Sequence, residues 1–134
     1  MAEKRILIID DSMVDRMILK RAFGKLADST VSLSEVDNAL AAVEALDDVP
    51  FDALFLDINM PGYNGFHVLR AAREKFPSPP PLVFMYSSSE HPDDVSQAYA
   101  EGADEYICKP NDLLSVVKMV ANCTRKIDDM LGAA

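Results

Sequence analysis

Arg5-Ile6-Leu7-Ile8-Ile9-Asp10-Asp11 is the stretch from which the rest of the chain can be read. Four consecutive Ile and Leu residues without polar alternation mark a strand buried on both faces, as in the middle of a parallel sheet. The run then stops abruptly at two carboxylates. Ala53-Leu54-Phe55-Leu56-Asp57 repeats the pattern, with an apolar run closed by an acid. Leu82 to Tyr86 reads as a further strand and Glu105 to Cys108 as a short one, while Thr30 to Val36 alternates and is β-branched, as suits a strand nearer an edge.

Helical patterns fill the intervals. Ser12 is placed to cap a helix in which Val14, Ile18, Ala22 and Leu26 recur at one-turn spacing, widened by Leu19 and Phe23. Asn38 to Leu46 is Ala-rich and favours helix. Gly65 to Phe76 is expected to be helical and to end at Pro77 and the Pro79-Pro80-Pro81 run. Asp93 to Ala100 follows Pro92 and is closed by Gly102. The last helix carries Leu113, Val117, Val120, Thr124, Ile127 and Leu131 on one stripe. Five strands alternating with five helices predict an α/β fold, a parallel sheet covered on both faces.

Composition narrows the function. A chain of 134 residues is the size of one domain, so residues 1–134 are expected to hold one core without an appended output domain. The apolar runs are too short to span a bilayer and no secretory signal is expected, which points to a cytoplasmic protein. Its net charge of −9 repels phosphate backbones and argues against direct binding of nucleic acid. Cys108 and Cys123 lack metal-ligand spacing and are expected to be buried free thiols. His67 and His91 are expected to be surface residues without partners.

The polar residues fall at the strand ends. Asp10 and Asp11 end the first strand, Asp57 the third, Ser87 follows the fourth and Lys109 the fifth. Sites in open parallel sheets form outside the carboxyl ends of the strands, so these groups should meet in one crevice. Three carboxylates there repel one another unless a cation offsets them. Oxygen ligands beside a lysine suit Mg²⁺, and an aspartate so placed can attack a phosphoryl group to give an aspartyl-phosphate. There is no Gly-rich phosphate loop, so the chain is not expected to bind a nucleotide itself.

Read singly, each of these residues has a plainer explanation. An acidic pair after a strand is usually a cap or solvated turn, Pro61-Gly62 and Asn64-Gly65 usually mark turns, and Tyr106 would pass for a half-buried strand aromatic. Their joint occurrence in order is what carries weight. Ile-Ile-Asp10-Asp11-Ser, Leu56-Asp57-Ile-Asn59-Met-Pro61-Gly62-Tyr-Asn-Gly65, Met85-Tyr-Ser87-Ser88 and Gly102-Ala-Asp-Glu-Tyr106-Ile-Cys-Lys109-Pro110 resemble the motifs of response-regulator receiver domains. The resemblance covers nearly the whole chain and looks nearest to the stand-alone, chemotaxis-type (CheY-like) members.

That resemblance implies a flavodoxin-like fold with strand order 2-1-3-4-5. It implies Asp57 as phosphoacceptor and Mg²⁺ held by Asp10, Asp11, Asp57 and the backbone carbonyl of Asn59. Lys109 would pair with Asp57 and then with the phosphoryl oxygens, and Ser87 would turn its hydroxyl to them. Tyr106 would swing inward as Ser87 moves, and Asn59 and Ser89 occupy positions that tune hydrolysis. A cis bond before Pro110 is also implied. The implied partners are a histidine kinase or histidine phosphotransfer protein and a downstream protein effector, with the chain itself a monomer. Ser87 stands where Thr is commoner, and Asn111 where many members have Phe. Neither change removes a required group. A phosphorelay shuttle or sink, or a pseudo-receiver that binds without accepting phosphate, would share much of this pattern. A dehalogenase-like hydrolase would carry a second acid where this chain has Asn59.

Overall fold

The computed structural model describes residues 3–62, 64–75 and 80–132. Its elements run β1 (Lys4–Ile9), α1 (Met13–Lys25), β2 (Val31–Val36), α2 (Ala39–Asp48), β3 (Ala53–Leu56), α3 (Gly65–Lys75), β4 (Leu82–Ser87), α4 (Pro92–Ala100), β5 (Glu105–Cys108) and α5 (Leu113–Gly132). The five strands form one sheet in the order β2-β1-β3-β4-β5, with every neighbouring pair parallel. This is the flavodoxin-like arrangement expected. Phe76, Pro77 and Pro79, where the third helix was expected to stop, lie outside the described residues, as does Tyr63.

Alternation along the strands splits the core into two layers. Leu7, Ile9, Leu54, Leu56, Val83 and Met85 face α2 and α3, with Ala98 of α4 packed among them. Ile6, Ile8, Phe55, Phe84 and Tyr86 face α1 and α5. In the second layer the Phe55 ring stacks on Phe84 at 5.2 Å and meets Phe23 edge-on at 5.6 Å. Each such fully buried ring contributes about 1.5–3 kcal/mol by leaving water. The edge strand β2 is only partly covered, which accounts for its polar alternation. Among the described residues no helix is long and apolar enough to cross a membrane.

Three expectations change. Of the expected α1 stripe, Leu19, Ala22 and Phe23 are buried and Leu26 packs against them, whereas Val14 and Ile18 are 59% and 37% exposed. The expectation fails only toward the helix start, because the first turn meets polar groups at the sheet's carboxyl edge and not the core. Cys123 is buried, but Cys108, at the end of edge strand β5, is exposed. Neither histidine stands alone: His91 Nδ1 accepts from the Asp93 N–H at 3.1 Å and caps α4, and His67 Nδ1 lies 3.1 Å from Asn64 Oδ1.

Candidate functional site

Register brings the polar residues together. Ile9 of β1 pairs with Leu56 of β3, so the residues that follow them, Asp10 and Asp57, emerge side by side. The Asp57 N–H donates to the Ile9 carbonyl at 3.0 Å, fixing that juxtaposition. At the other side, Ser87 of β4 pairs with Cys108 of β5, and the Lys109 N–H donates to the Ser87 carbonyl at 2.9 Å. Four strand ends thus open into one crevice.

The loop after β3 closes its floor. Gly62 takes a φ of +79°, which favours glycine, and the Gly65 N–H donates to the Ile58 carbonyl at 2.9 Å. α3 starts so close to β3 that a Cβ on Gly65 would lie 2.2 Å from the Asp57 carbonyl oxygen. Only glycine fits there.

Carboxylate oxygens of Asp10, Asp11 and Asp57 all lie within 4.8 Å of one another. Asp10 and Asp57 are buried, Asp57 being 6% exposed, while Asp11 faces solvent. Asp10 accepts from the Ser12 N–H at 2.9 Å, and Ser12 in turn caps α1 by accepting from Asp15 N–H. The Asn59 N–H reaches the Asp57 carboxylate at 3.4 Å, and the Asn59 side chain is exposed.

Lys109 supplies the counter-charge. Its ammonium lies 2.8 Å from Asp10, 2.8 Å from Asp15 and 3.4 Å from Asp57, and 5.7 Å over the Tyr86 ring. Burial alone would lower its pKa, but bonds to Asp10 and Asp15 and the nearby charge of Asp57 prevail and raise it. It therefore stays protonated throughout the neutral range. Burial pushes the Asp57 carboxyl up, and Asp10 adds to this, while Lys109 pulls it down. Bringing a compact cation to the three carboxylates removes much of that strain. An octahedral Mg²⁺ holds oxygens at about 2.0–2.1 Å, so its ligand pairs fall at roughly 3–4 Å. The trio already gathers its oxygens to within 4.8 Å, and hard oxygen donors are the chemistry such an ion would select.

Ser87 is fully buried at the end of β4, its Oγ accepting from the Ser89 N–H at 3.2 Å. Ser89 Oγ donates to Asp94 of α4 at 2.6 Å. Tyr106 is half-buried on β5 and donates its phenol to the Ser89 carbonyl at 2.8 Å. Burial pushes that phenol up, against its contacts with Ser89 and Ser87. The strand-end residues singled out in the sequence therefore share one neighbourhood. Two neighbours were missed. Arg16 donates from Nη1 to the Asp10 carbonyl at 2.6 Å and from Nε to Glu35 at 2.9 Å, anchoring the end of β1. Asp15 was hidden as an ordinary first-turn acid. Carrying the Leu19–Phe23 stripe one turn toward the N-terminus would have pointed to it.

Known proteins share this arrangement. Residues 6–121 match the response regulator receiver domain. The nitrate/nitrite response regulator protein NarL of Escherichia coli K12 is 38% identical over 119 residues, which cover 87% of this chain and 54% of NarL. This chain therefore spans about half the length of that relative. Among solved structures, the signal receiver domain of the putative response regulator NarL from Mycobacterium tuberculosis is 28% identical, with a TM-score of 0.77, covering 93% of this chain and 98% of that one. The Mn²⁺-bound form of response regulator Rcp1 is 27% identical, with a TM-score of 0.74, covering 87% and 88% of the two chains. With the matched family spanning nearly all of β1 to α5, and with a relative 38% identical, the chain belongs to the response regulator receiver domains.

Proposed function

We propose that this receiver domain is a phospho-acceptor switch of two-component signalling in which Asp57 takes a phosphoryl group from a phosphohistidine on a kinase or histidine phosphotransfer protein. The observation that carries this is the convergence of Asp10, Asp11 and Asp57 within 4.8 Å, backed by the Lys109 ammonium. An Asp57 carboxylate oxygen forms the new bond to phosphorus while the phosphorus–nitrogen bond of the donor breaks. The bonding pair stays on the imidazole nitrogen. Lys109, 3.4 Å from the acceptor, donates to the phosphoryl oxygens as they arrive. Ser87 offers the hydroxyl for a further oxygen, and exposed Ser88 leaves that side open. Asp10, Asp11, Asp57 and the Asn59 carbonyl would hold Mg²⁺, which when bound neutralises charge on the acceptor and on the transferring oxygens. The related Rcp1, solved with Mn²⁺, supports a divalent ion.

Output follows from a shift in population. The phosphoryl group rewards the conformation in which Ser87 and Lys109 converge on it, and a partner that prefers this conformation reads the signal. Tyr106 bridges β5 to the loop before α4 through the Ser89 carbonyl, so it couples Ser87 to the α4–β5–α5 face. Asn59 and Ser89 stand beside the acceptor and the hydroxyl respectively, where their side chains set water access and hence phosphoryl lifetime. A net charge of −9 makes this domain itself a poor direct partner for DNA, so its switched face is read by a protein surface, as in a stand-alone chemotaxis-type regulator. It turns over no external metabolite.

Intact mass after incubation with Mg²⁺ and acetyl phosphate, beside Asp57→Asn, tests the proposal. One added phosphoryl group that requires Mg²⁺ and is lost in the variant supports it. No gain, while a control receiver is labelled in parallel, refutes it in favour of constitutive binding.

A further inference from the structure

We propose that Asp15 is a positioning residue that competes with the phosphoryl group for Lys109, and so sets how readily the site accepts and keeps it. This rests on the phospho-acceptor reading above and deepens it. An ammonium has three protons to give. In this structure Lys109 spends its two short contacts, both 2.8 Å, on Asp10 and Asp15, and its longest, 3.4 Å, on the acceptor Asp57. The third proton, now at 3.4 Å, reaches an oxygen arriving on Asp57 at full strength only if the ammonium shifts toward Asp57, and that shift lengthens one of the two short contacts.

The two partners differ in what release costs. Asp10 is almost wholly buried and belongs to the carboxylate trio, so leaving it exposes a charge to a low-dielectric site. Asp15 lies outside that trio on the first turn of α1, and its side chain is 36% exposed. Water and the helix N-terminus can both take up its charge when the lysine departs. Asp15 is therefore the contact that breaks, and its strength is subtracted from the affinity of the site for a phosphoryl group. The arrangement holds the lysine inside the crevice before transfer and resists its full commitment afterwards.

Binding of beryllium trifluoride at saturating Mg²⁺ measures the effect, with the full chain and its Asp15→Asn and Asp15→Glu variants. Asp15→Asn keeps the shape and removes the charge, and it should bind the probe about three- to tenfold more tightly, in line with the modest strength of a half-exposed ion pair. Asp15→Glu, which retains the carboxylate, should return toward wild type. A purely structural role for Asp15 at the helix start would shift the urea midpoint but leave the probe affinity unchanged. A second readout needs neither metal nor probe: the Lys109 side-chain ¹⁵Nζ resonance should move in Asp15→Asn and much less in Asp15→Glu. Equal or weaker binding by Asp15→Asn, or equal tightening in both variants, overturns the proposal while leaving the phospho-acceptor reading intact. Failure of the wild type to bind the probe at all overturns both.

Discussion

Gly65 is the position where one methyl group should disturb the site most directly. A Cβ built there lies 2.2 Å from the Asp57 carbonyl oxygen, 2.9 Å from the Ile58 Cα and 3.0 Å from the Asp57 carbonyl carbon. Ordinary contact begins at 3.4 Å, and all three neighbours are backbone atoms that cannot rotate away. In Gly65→Ala the start of α3 must therefore retreat by roughly an ångström, weakening the 2.9 Å bond from the Gly65 N–H to the Ile58 carbonyl. Overpacking of this kind costs about 1–3 kcal/mol and the hydrogen bond about 0.5–1.5 kcal/mol. Alanine's better helix propensity recovers only part at a first-turn position. A net loss of about 2–4 kcal/mol follows, or roughly 6–16 °C in Tm for a domain of this size. Urea unfolding gives the stability, and the rate of Mg²⁺-dependent phosphorylation gives the displacement of Asp57, for which a slowing of about ten- to hundredfold is expected. Gly24→Ala is the matched control. Nothing lies within 4 Å of its Cβ in helix α1, so it should be neutral or stabilising by up to about 1 kcal/mol. Equal stabilities of the two variants, with unchanged phosphorylation in Gly65→Ala, would show that the close approach of α3 to β3 does not hold the acceptor.

The thiols should separate by reactivity. Cys108 is exposed, whereas burial pushes the Cys123 thiol up to about 12, so a maleimide should add once to the native chain and twice after denaturation; two native additions would contradict the packing of α5. Acid should loosen the opposite end of the sheet. There the Asp28 carboxyl is held down to about 2, first by the Thr30 hydroxyl, then by the Thr30 N–H and by Lys4. Its folded pKa lies below its unfolded value of 3.8, so its contribution to stability is present above about pH 4 and is lost as the pH falls toward about 2. Asp28→Asn should therefore be less stable than wild type at pH 5, with the gap narrowing steadily as the pH falls from 4 toward 2 in urea titrations, and a gap that stays constant would refute the assignment.

Strand ends were easy to see in the sequence, and helix faces were not. β1 and β3 are buried on both faces, so their apolar runs are unbroken and the acids that end them stand out at once. Period and burial agree there, and no competing explanation fits both. Edge elements were less legible. Glu105 to Cys108 was correctly taken as a strand, but β5 has a neighbour only on the β4 side and leaves Cys108 open to solvent, which no local pattern of four residues encodes. The capping role of His91 was likewise invisible, because it depends on a backbone turn and not on any repeat.

Helix α1 shows why part of the site stayed hidden. Its inward face serves two environments in succession: Leu19, Ala22 and Phe23 against the sheet, then Asp15 against Lys109 beyond the sheet's edge. Hydrophobic periodicity identifies a face only while that face meets the core. Past the edge, the same face must become polar, and the apolar residues beside it, Val14 and Ile18, extend the stripe in the wrong register. An acid in the first turn also favours the helix macrodipole, so Asp15 had a sufficient local explanation. The two roles are compatible, since one carboxylate can cap the dipole and engage a lysine together. Residues that serve the site from a helix are thus masked by the requirements of the helix itself, whereas those at strand ends have no local duty to hide behind. That asymmetry explains why Asp10, Asp57 and Lys109 could be picked out from order and spacing, while Asp15 and Arg16 emerged only from their contacts.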